Sequence, residues 1–203
     1  MRVLMIGAPG AGKGTQGARL AEHYAVAHIS SGDLLREHIA NGSSIGRAAR
    51  SYVESGDLVP DAVVLDMLRK PVVDASETGG YVLDGFPRTV EQAAIAYKVA
   101  KELGVEVQIA VHLDVPREAL IQRLLSRGRG ADDNRDVIEH RLEVYDRMTL
   151  PMLDYYTQRE AVVVVDGEQP VDAVTVRMLA GLEAQRRIRA GMAVPDPPAE
   201  SPG

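Results

Sequence analysis

Near-continuous apolar runs alternate along this chain with longer stretches in which apolar residues recur every three or four positions. The runs are Val3–Ile6, Ala27–Ile29, Tyr81–Leu83, Val107–Leu113 and Val162–Val165, and each is followed at once by a glycine, serine or aspartate. They read as buried strands. Helical spacing marks Lys13–Tyr24, with Ala18, Leu20 and Ala21 on or near one face. Ser31 and Asp33 stand where an N-cap belongs ahead of Leu34, Leu35 and Ile39, and Asn41-Gly42 stops that helix. A short helix follows over Ile45–Glu54, stopped by Gly56, and Pro60 opens another in the position where proline is least harmful. Further helices are predicted over Val90–Leu103, capped by Gly104, and from Pro116 through Leu120, Ile121, Leu124 and Leu125 to the break at Gly128 and Gly130. A long one is predicted over Val137–Arg159, kinked or split by Pro151, and a last one runs from Pro170 to about Ala190. Strands alternating with helices predict βαβ units, hence an α/β fold whose mostly parallel sheet has helices on both faces.

Composition narrows the chemistry. The 203 residues hold no cysteine, which excludes disulfide scaffolds, thiolate catalysis and cysteine-ligated zinc. The net charge of −6, one phenylalanine and no tryptophan argue against a nucleic-acid binder, which needs a basic face or stacking platforms. No stretch is long and apolar enough for a membrane span, and the N-terminal run leads straight into a glycine loop instead of a cleavage site. A cytoplasmic protein is the expectation. The final Pro-rich stretch, 191–203, reads as a disordered tail.

The strongest local signal is Gly7-Ala8-Pro9-Gly10-Ala11-Gly12-Lys13-Gly14-Thr15. It follows a predicted strand and opens a predicted helix, as a phosphate-binding loop must. Its glycines let backbone N–H groups wrap around phosphate, the helix turns its positive end to the same anion, and Lys13 reaches the outer phosphates. The hydroxyl, Thr15, stands one place later than in the common form of this loop. The alternative is a glycine-rich turn that merely joins strand to helix.

The form GAPGAGKGT resembles the adenylate kinases and their nucleoside monophosphate kinase relatives. Three more blocks extend the likeness in the same order: Ser30-Ser31-Gly32-Asp33-Leu34-Leu35-Arg36, Gly56-Asp57-Leu58-Val59-Pro60, and Asp84-Gly85-Phe86-Pro87-Arg88-Thr89 with Gln92. The resemblance implies a P-loop NTPase-type core (1–29, 60–125 and 138–190), a mobile NMP-binding segment (30–59) and a short lid (126–137). It implies that Gly10, Ala11, Gly12, Lys13, Gly14 and Thr15 bind ATP with Arg123, Arg127 and Gln169, Arg123 stacking on the adenine. It implies that Ser31, Arg36, Asp57, Leu58, Val59, Gly85, Phe86, Pro87, Arg88 and Gln92 bind AMP together with Arg129 and Arg141. Ser31 replaces the threonine common in adenylate kinases and keeps the hydroxyl. Gln92, usually lacking in pyrimidine monophosphate kinases, favours AMP over UMP or CMP.

The residue chemistry agrees on its own terms. Arg36 and Arg88 carry guanidinium forks suited to phosphate, although each alone is more often a surface arginine. Asp84 ends an apolar strand, where α/β folds place their ligand crevice, and suits a carboxylate holding Mg²⁺ through water. Asp33 either joins that water shell or simply caps its helix. Arg123 and Arg127 share a helix face, and Arg129 and Arg141 follow across the lid. The resemblance makes Lys13, Arg88, Arg127, Arg129 and Arg141 the catalytic set; Asp132 and Asp133 are candidate partners for lid arginines, although an exposed pair would contribute little. The five histidines form no cluster in the sequence, which disfavours a phosphohistidine route. The implied reaction is ATP + AMP ⇌ 2 ADP with Mg²⁺ and without zinc, in a monomer that engages nucleotides and neither nucleic acid nor membrane. Two alternatives stand beside it at this point: a UMP or CMP kinase, and a nucleotide-binding switch without transfer.

Overall fold

The computed structural model describes residues 1–127, 134–159 and 161–191. Five parallel strands, β1 (Arg2–Gly7), β2 (Ala27–Ser30), β3 (Tyr81–Asp84), β4 (Ile109–Asp114) and β5 (Ala161–Asp166), lie in the order β2-β3-β1-β4-β5. Val3 pairs in register with Val82 on one side and Ile109 on the other. The strand pleat sends successive side chains to opposite faces. Val3 and Met5 therefore join one buried cluster, and Leu4 and Ile6 the other.

The first cluster is closed by α1 (Lys13–Tyr24), α6 (Arg117–Arg127), α7 (Arg135–Val144) and α9 (Val171–Arg189), through residues such as Leu20, Leu124, Ile138 and Met178. The second is closed by α4 (Asp61–Glu77), α5 (Val90–Glu102) and α8 (Met152–Thr157), through Leu68, Ala93, Met152 and Tyr156. Each large apolar side chain so buried stabilises the fold by roughly 1.5–3 kcal/mol relative to exposure. This is the parallel sheet with helices on both faces expected from the alternating pattern, in the P-loop NTPase-type arrangement that the resemblance implies. Helices α2 (Ser31–Ala40) and α3 (Ser44–Ser55) pack on each other and add Leu35 and Ala49 to the second cluster. Their contact depends on Gly46, because a Cβ there would lie 2.0 Å from the His38 carbonyl oxygen.

Several local expectations are corrected. The N-cap of α2 is Ser30, whose Oγ accepts the Asp33 N–H, so Ser31 lies inside the helix and Asp33 is not the cap. Ala18 is exposed; α1 instead buries Gln16 and Gly17 beside Leu20 and Ala21. Leu125 is exposed as well. Strand β4 begins at Ile109, not Val107. The long helix expected over Val137–Arg159 is three pieces: α7, a π-helical turn over Tyr145–Thr149, and α8 capped by Pro151. Pro151 has no N–H to continue the α ladder, and Leu150 N–H reaches back to the Tyr145 carbonyl at 2.9 Å. Pro71 sits unannounced in the interior of α4. Residues 128–133 of the expected lid (126–137) and 192–203 of the expected tail (191–203) lie outside the described residues.

His112 is a buried polar residue on β4, with Nε2 3.2 Å from the Tyr145 hydroxyl. Burial pushes its pKa down from the ordinary histidine value, against the opposing pull of Asp114 and with a further push from Lys13. The unfolded chain therefore binds this proton near pH 6.5 and the folded protein only below that. His112 thus weakens folding as pH falls from about 6.5 toward the folded value. Urea denaturation at pH 7.5 and pH 5 is expected to show a smaller loss of stability on acidification in His112→Gln than in the unaltered protein.

Candidate active site

The carboxyl ends of the strands form one crest, where Gly7, Asp84, Asp114 and Asp166 close four of them. Strand β1 lies between β3 and β4, so the chain passes to both sides of it, and ligands of open α/β sheets bind at such a reversal. The loop from Ala8 to Gly12 leaves β1 here. Gly12, at φ +94°, turns the chain into α1 in a conformation that residues with a Cβ rarely adopt. No side chain caps α1, as none caps α4, α8 or α9, whereas Ser30, Ser43, Thr89 and Asn134 cap α2, α3, α5 and α7; of the uncapped helices, α1 is the one that opens on the phosphate loop. The first amides of α1 thus remain for an anion.

Lys13 Nζ donates to the Gly7 and Ala8 carbonyls at 2.9 and 3.1 Å. Burial pulls its pKa down; Asp84 opposes this, and the positive charges of Arg88, Arg141 and Arg127 add to it. Burial likewise pulls the Arg88 pKa down, with Asp84 opposing and Arg36 reinforcing. Asp84 is 7% exposed, and its Oδ1 has no hydrogen-bond donor among the described residues. A buried acceptor without a donor in the protein fits a hydrated cation. The described residues contain no group of three His, Asp or Glu able to hold a metal by themselves, so such an ion would lean on phosphate and water. Asp33 has an exposed carboxylate engaged by Arg36.

One cavity beside this cluster is lined by Ser31 and Arg36 from α2, by Asp57, Leu58 and Val59, by Gly85, Phe86 and Arg88, by Gln92 from α5 and by Arg141 from α7. Ser31 Oγ is buried there without a partner among the described residues. Arg88 and Arg141 also line the adjoining cavity, with Lys13 and Pro87. On the far side of the loop, Ala11, Gly12, Thr15, Arg123 and Gln169 line another. Arg123 Nη2 donates to the Gly167 carbonyl at 2.9 Å, and Gln169 Nε2 to Asp166 Oδ2 at 2.8 Å. Of the described residues expected at the site, Gly10, Gly14, Asp33, Asp84 and Arg127 line none of these three cavities; Arg127 is near enough for its charge to act on Lys13. Arg129, with Asp132 and Asp133, lies outside the described residues.

A family model described as adenylate kinase matches residues 5–161. The chain is 43% identical over 185 residues to an adenylate kinase of Leptospira biflexa, covering 89% of this chain and 99% of that one. It is 45% identical over 181 residues to an adenylate kinase of a Synechococcus species, covering 89% and 98%, and 43% identical over 185 residues to one of Kocuria rhizophila, covering 90% and 98%. The chain belongs to the adenylate kinase family.

In an adenylate kinase frame, three contacts here had no signal in the sequence. The Thr149 hydroxyl, on the π-helical turn, donates to the Arg88 carbonyl at 2.7 Å. The Gln92 amide bonds Asp61 Oδ1 at 2.6 Å. His140 Nε2 lies 2.7 Å from Asp57 Oδ1 and ties the loop after α3 to α7, next to Arg141. Their separations are 61, 31 and 83 residues, far beyond any local pattern. The hydrogen bond from His140, then that from Ser55, holds the Asp57 carboxyl below the usual aspartate range. In His140→Ala, an NMR titration of the Asp57 carboxyl should show its pKa moving up toward the ordinary value of about 3.9.

Proposed function

We infer that the protein catalyses Mg²⁺-dependent phosphoryl transfer from ATP to AMP, giving two ADP. The observation that carries this is the sharing of residues between cavities: Arg88 and Arg141 border both the cavity at Lys13 and the one lined by Ser31, Arg36 and Gln92. A donor bound on the loop and an acceptor bound beyond Arg88 would meet over the same cations.

The donor triphosphate lies against the amides of Gly10–Thr15 and Lys13, with its adenine between Arg123 and the Gln169 loop. The acceptor phosphate is held by Arg36 and Arg88, its base by Gln92, with Ser31, Asp57, Leu58, Val59, Gly85, Phe86 and Pro87 shaping the pocket. A phosphate monoester is already largely dianionic near pH 7, its second pKa being about 6, so no strong base is needed. Catalysis is then positioning and charge neutralisation. Lys13, Arg88, Arg127, Arg129 and Arg141 surround the group in transit. Asp84, with Asp33 as a second candidate in the same water shell, would hold the hydrated Mg²⁺, which would offset charge on the donor phosphates. Segment 30–59 and lid 126–137 are the moving parts; their closure excludes water that would otherwise take the phosphoryl group. A cytoplasmic monomer serving nucleotide biosynthesis and the balance of adenine nucleotides completes the reading. The net charge of −6 supports a partner set of ATP, AMP and ADP without nucleic acid or membrane.

Purified protein with ATP, Mg²⁺ and AMP should yield ADP by product chromatography, with UMP and CMP far poorer acceptors and no ADP after chelation by EDTA. ATP binding without product would refute the reading. Arg88→Ala should lower turnover by about 10²–10³-fold, the scale of losing one oriented charge donor, while circular dichroism stays unchanged.

A further inference from the structure

Gln92 is 3% exposed, yet it borders the cavity assigned above to the acceptor nucleotide. Its amide is held at both ends. Oε1 accepts the Arg88 backbone N–H at 2.7 Å, and Nε2 donates to Asp61 Oδ1 at 2.6 Å. A backbone N–H only donates and an ionised carboxylate only accepts. Turning the amide over would therefore set donor against donor at Arg88 and acceptor against acceptor at Asp61. Two unlike clamps define which end of Gln92 is oxygen.

Each clamp leaves capacity unused. Oε1 keeps a second lone pair and Nε2 a second proton, so the side chain presents an acceptor beside a donor. A 6-aminopurine offers the matching edge, an exocyclic N–H₂ next to a ring nitrogen that accepts. A 6-oxopurine reverses it, with a carbonyl next to a ring N–H, or places two acceptors together. If the amide were free to rotate, it would serve both kinds of base.

We propose that Asp61 is a positioning residue that, together with the Arg88 backbone N–H, fixes the orientation of the Gln92 amide and so strengthens the preference for 6-aminopurine over 6-oxopurine monophosphates. Asp61 does not border the acceptor cavity and acts only through Gln92. It stands at the first position of α4, so the start of that helix and the start of α5 are coupled by one hydrogen bond. The proposal rests on the acceptor-site reading given above.

The test compares AMP with IMP, which differ at the purine 6-position and its neighbouring ring nitrogen. For each acceptor kcat/KM is measured at saturating ATP, in the unaltered protein, Asp61→Ala, Asp61→Asn and Gln92→Ala. Asp61→Ala should narrow the AMP:IMP ratio of kcat/KM by roughly tenfold or more, the scale of a charge-assisted hydrogen bond. Most of the loss should fall on the KM for AMP, with kcat and the KM for ATP little changed. Asp61→Asn, whose carbonyl still accepts from Nε2, should restore most of the preference. An equal fall for AMP and IMP in Asp61→Ala, with the ratio unchanged, would mean a structural role only and overturn the proposal, provided Gln92→Ala does narrow the ratio. If Gln92→Ala leaves the ratio unchanged, the base does not meet Gln92, and the acceptor-site reading falls together with the proposal. Should Asp61→Ala fail to fold by circular dichroism, an undiminished ratio in a folded Asp61→Leu would overturn the proposal equally.

Discussion

Like charges held close together govern this site. The charges of Arg88, Arg141 and Arg127 all bear on Lys13 in a partly buried setting, that of Arg36 bears on Arg88, and the carboxylate of Asp84 is the counterweight that acts on both Lys13 and Arg88. Such a gathering is unfavourable until an anion arrives, because desolvation and mutual repulsion act in the same direction. The rest of the fold makes the arrangement bearable. Apolar clusters on both faces of the sheet hold the crest rigid, and backbone carbonyls at Gly7, Ala8 and Gly85 accept from the cations directly. Phosphate binding then relieves a tension that folding has built in, so affinity follows from geometry prepared in advance.

The acceptor side shows a second form of preparation. Arg88 is fixed at its N–H by Gln92, at Nε by the Gly85 carbonyl and at its own carbonyl by Thr149. These bonds come from α5, from the turn after β3 and from the π-helical turn. Two of these bonds hold the Arg88 backbone and one its side chain, so the residue has less freedom to lose when a ligand binds and less conformational entropy stands against the complex.

Much of this was legible in the sequence, and the reasons are local. Strand ends and helix starts carry glycine, aspartate and hydroxyl residues at fixed spacing, so the phosphate loop and Asp84 were visible within short windows, whereas Arg88, alone no different from a surface arginine, stood out only through the block Asp84-Gly85-Phe86-Pro87-Arg88-Thr89 that carries the family resemblance. The failures have equally particular causes. Gln16 takes a core-facing place on α1 because its amide donates to the Val171 carbonyl at 2.9 Å and accepts from the Thr175 hydroxyl at 2.8 Å. An apolar pattern has no means of finding a satisfied glutamine, and so it assigned the inner face to Ala18. Ser30 and Ser31 are neighbours with equal capping ability; packing decides, since Ser31 is buried and Ser30 is left to cap. The partners of Asp57, Asp61 and Thr149 lie too far along the chain for any spacing rule to join them.

The widened turn at Tyr145–Thr149 carries an implication for how this chain would tolerate a change of length. Each residue of an α-helix advances the winding by about 100°, so a π turn is a surplus residue accommodated without unwinding what lies on either side. Removing one residue there would give a more regular helix and, on paper, a better one. It would also swing the Thr149 hydroxyl about a quarter of a revolution away from the backbone it now braces. An irregularity in the winding is thus what keeps the arginine beside it in register, and smoothing the helix would trade alignment for tidiness.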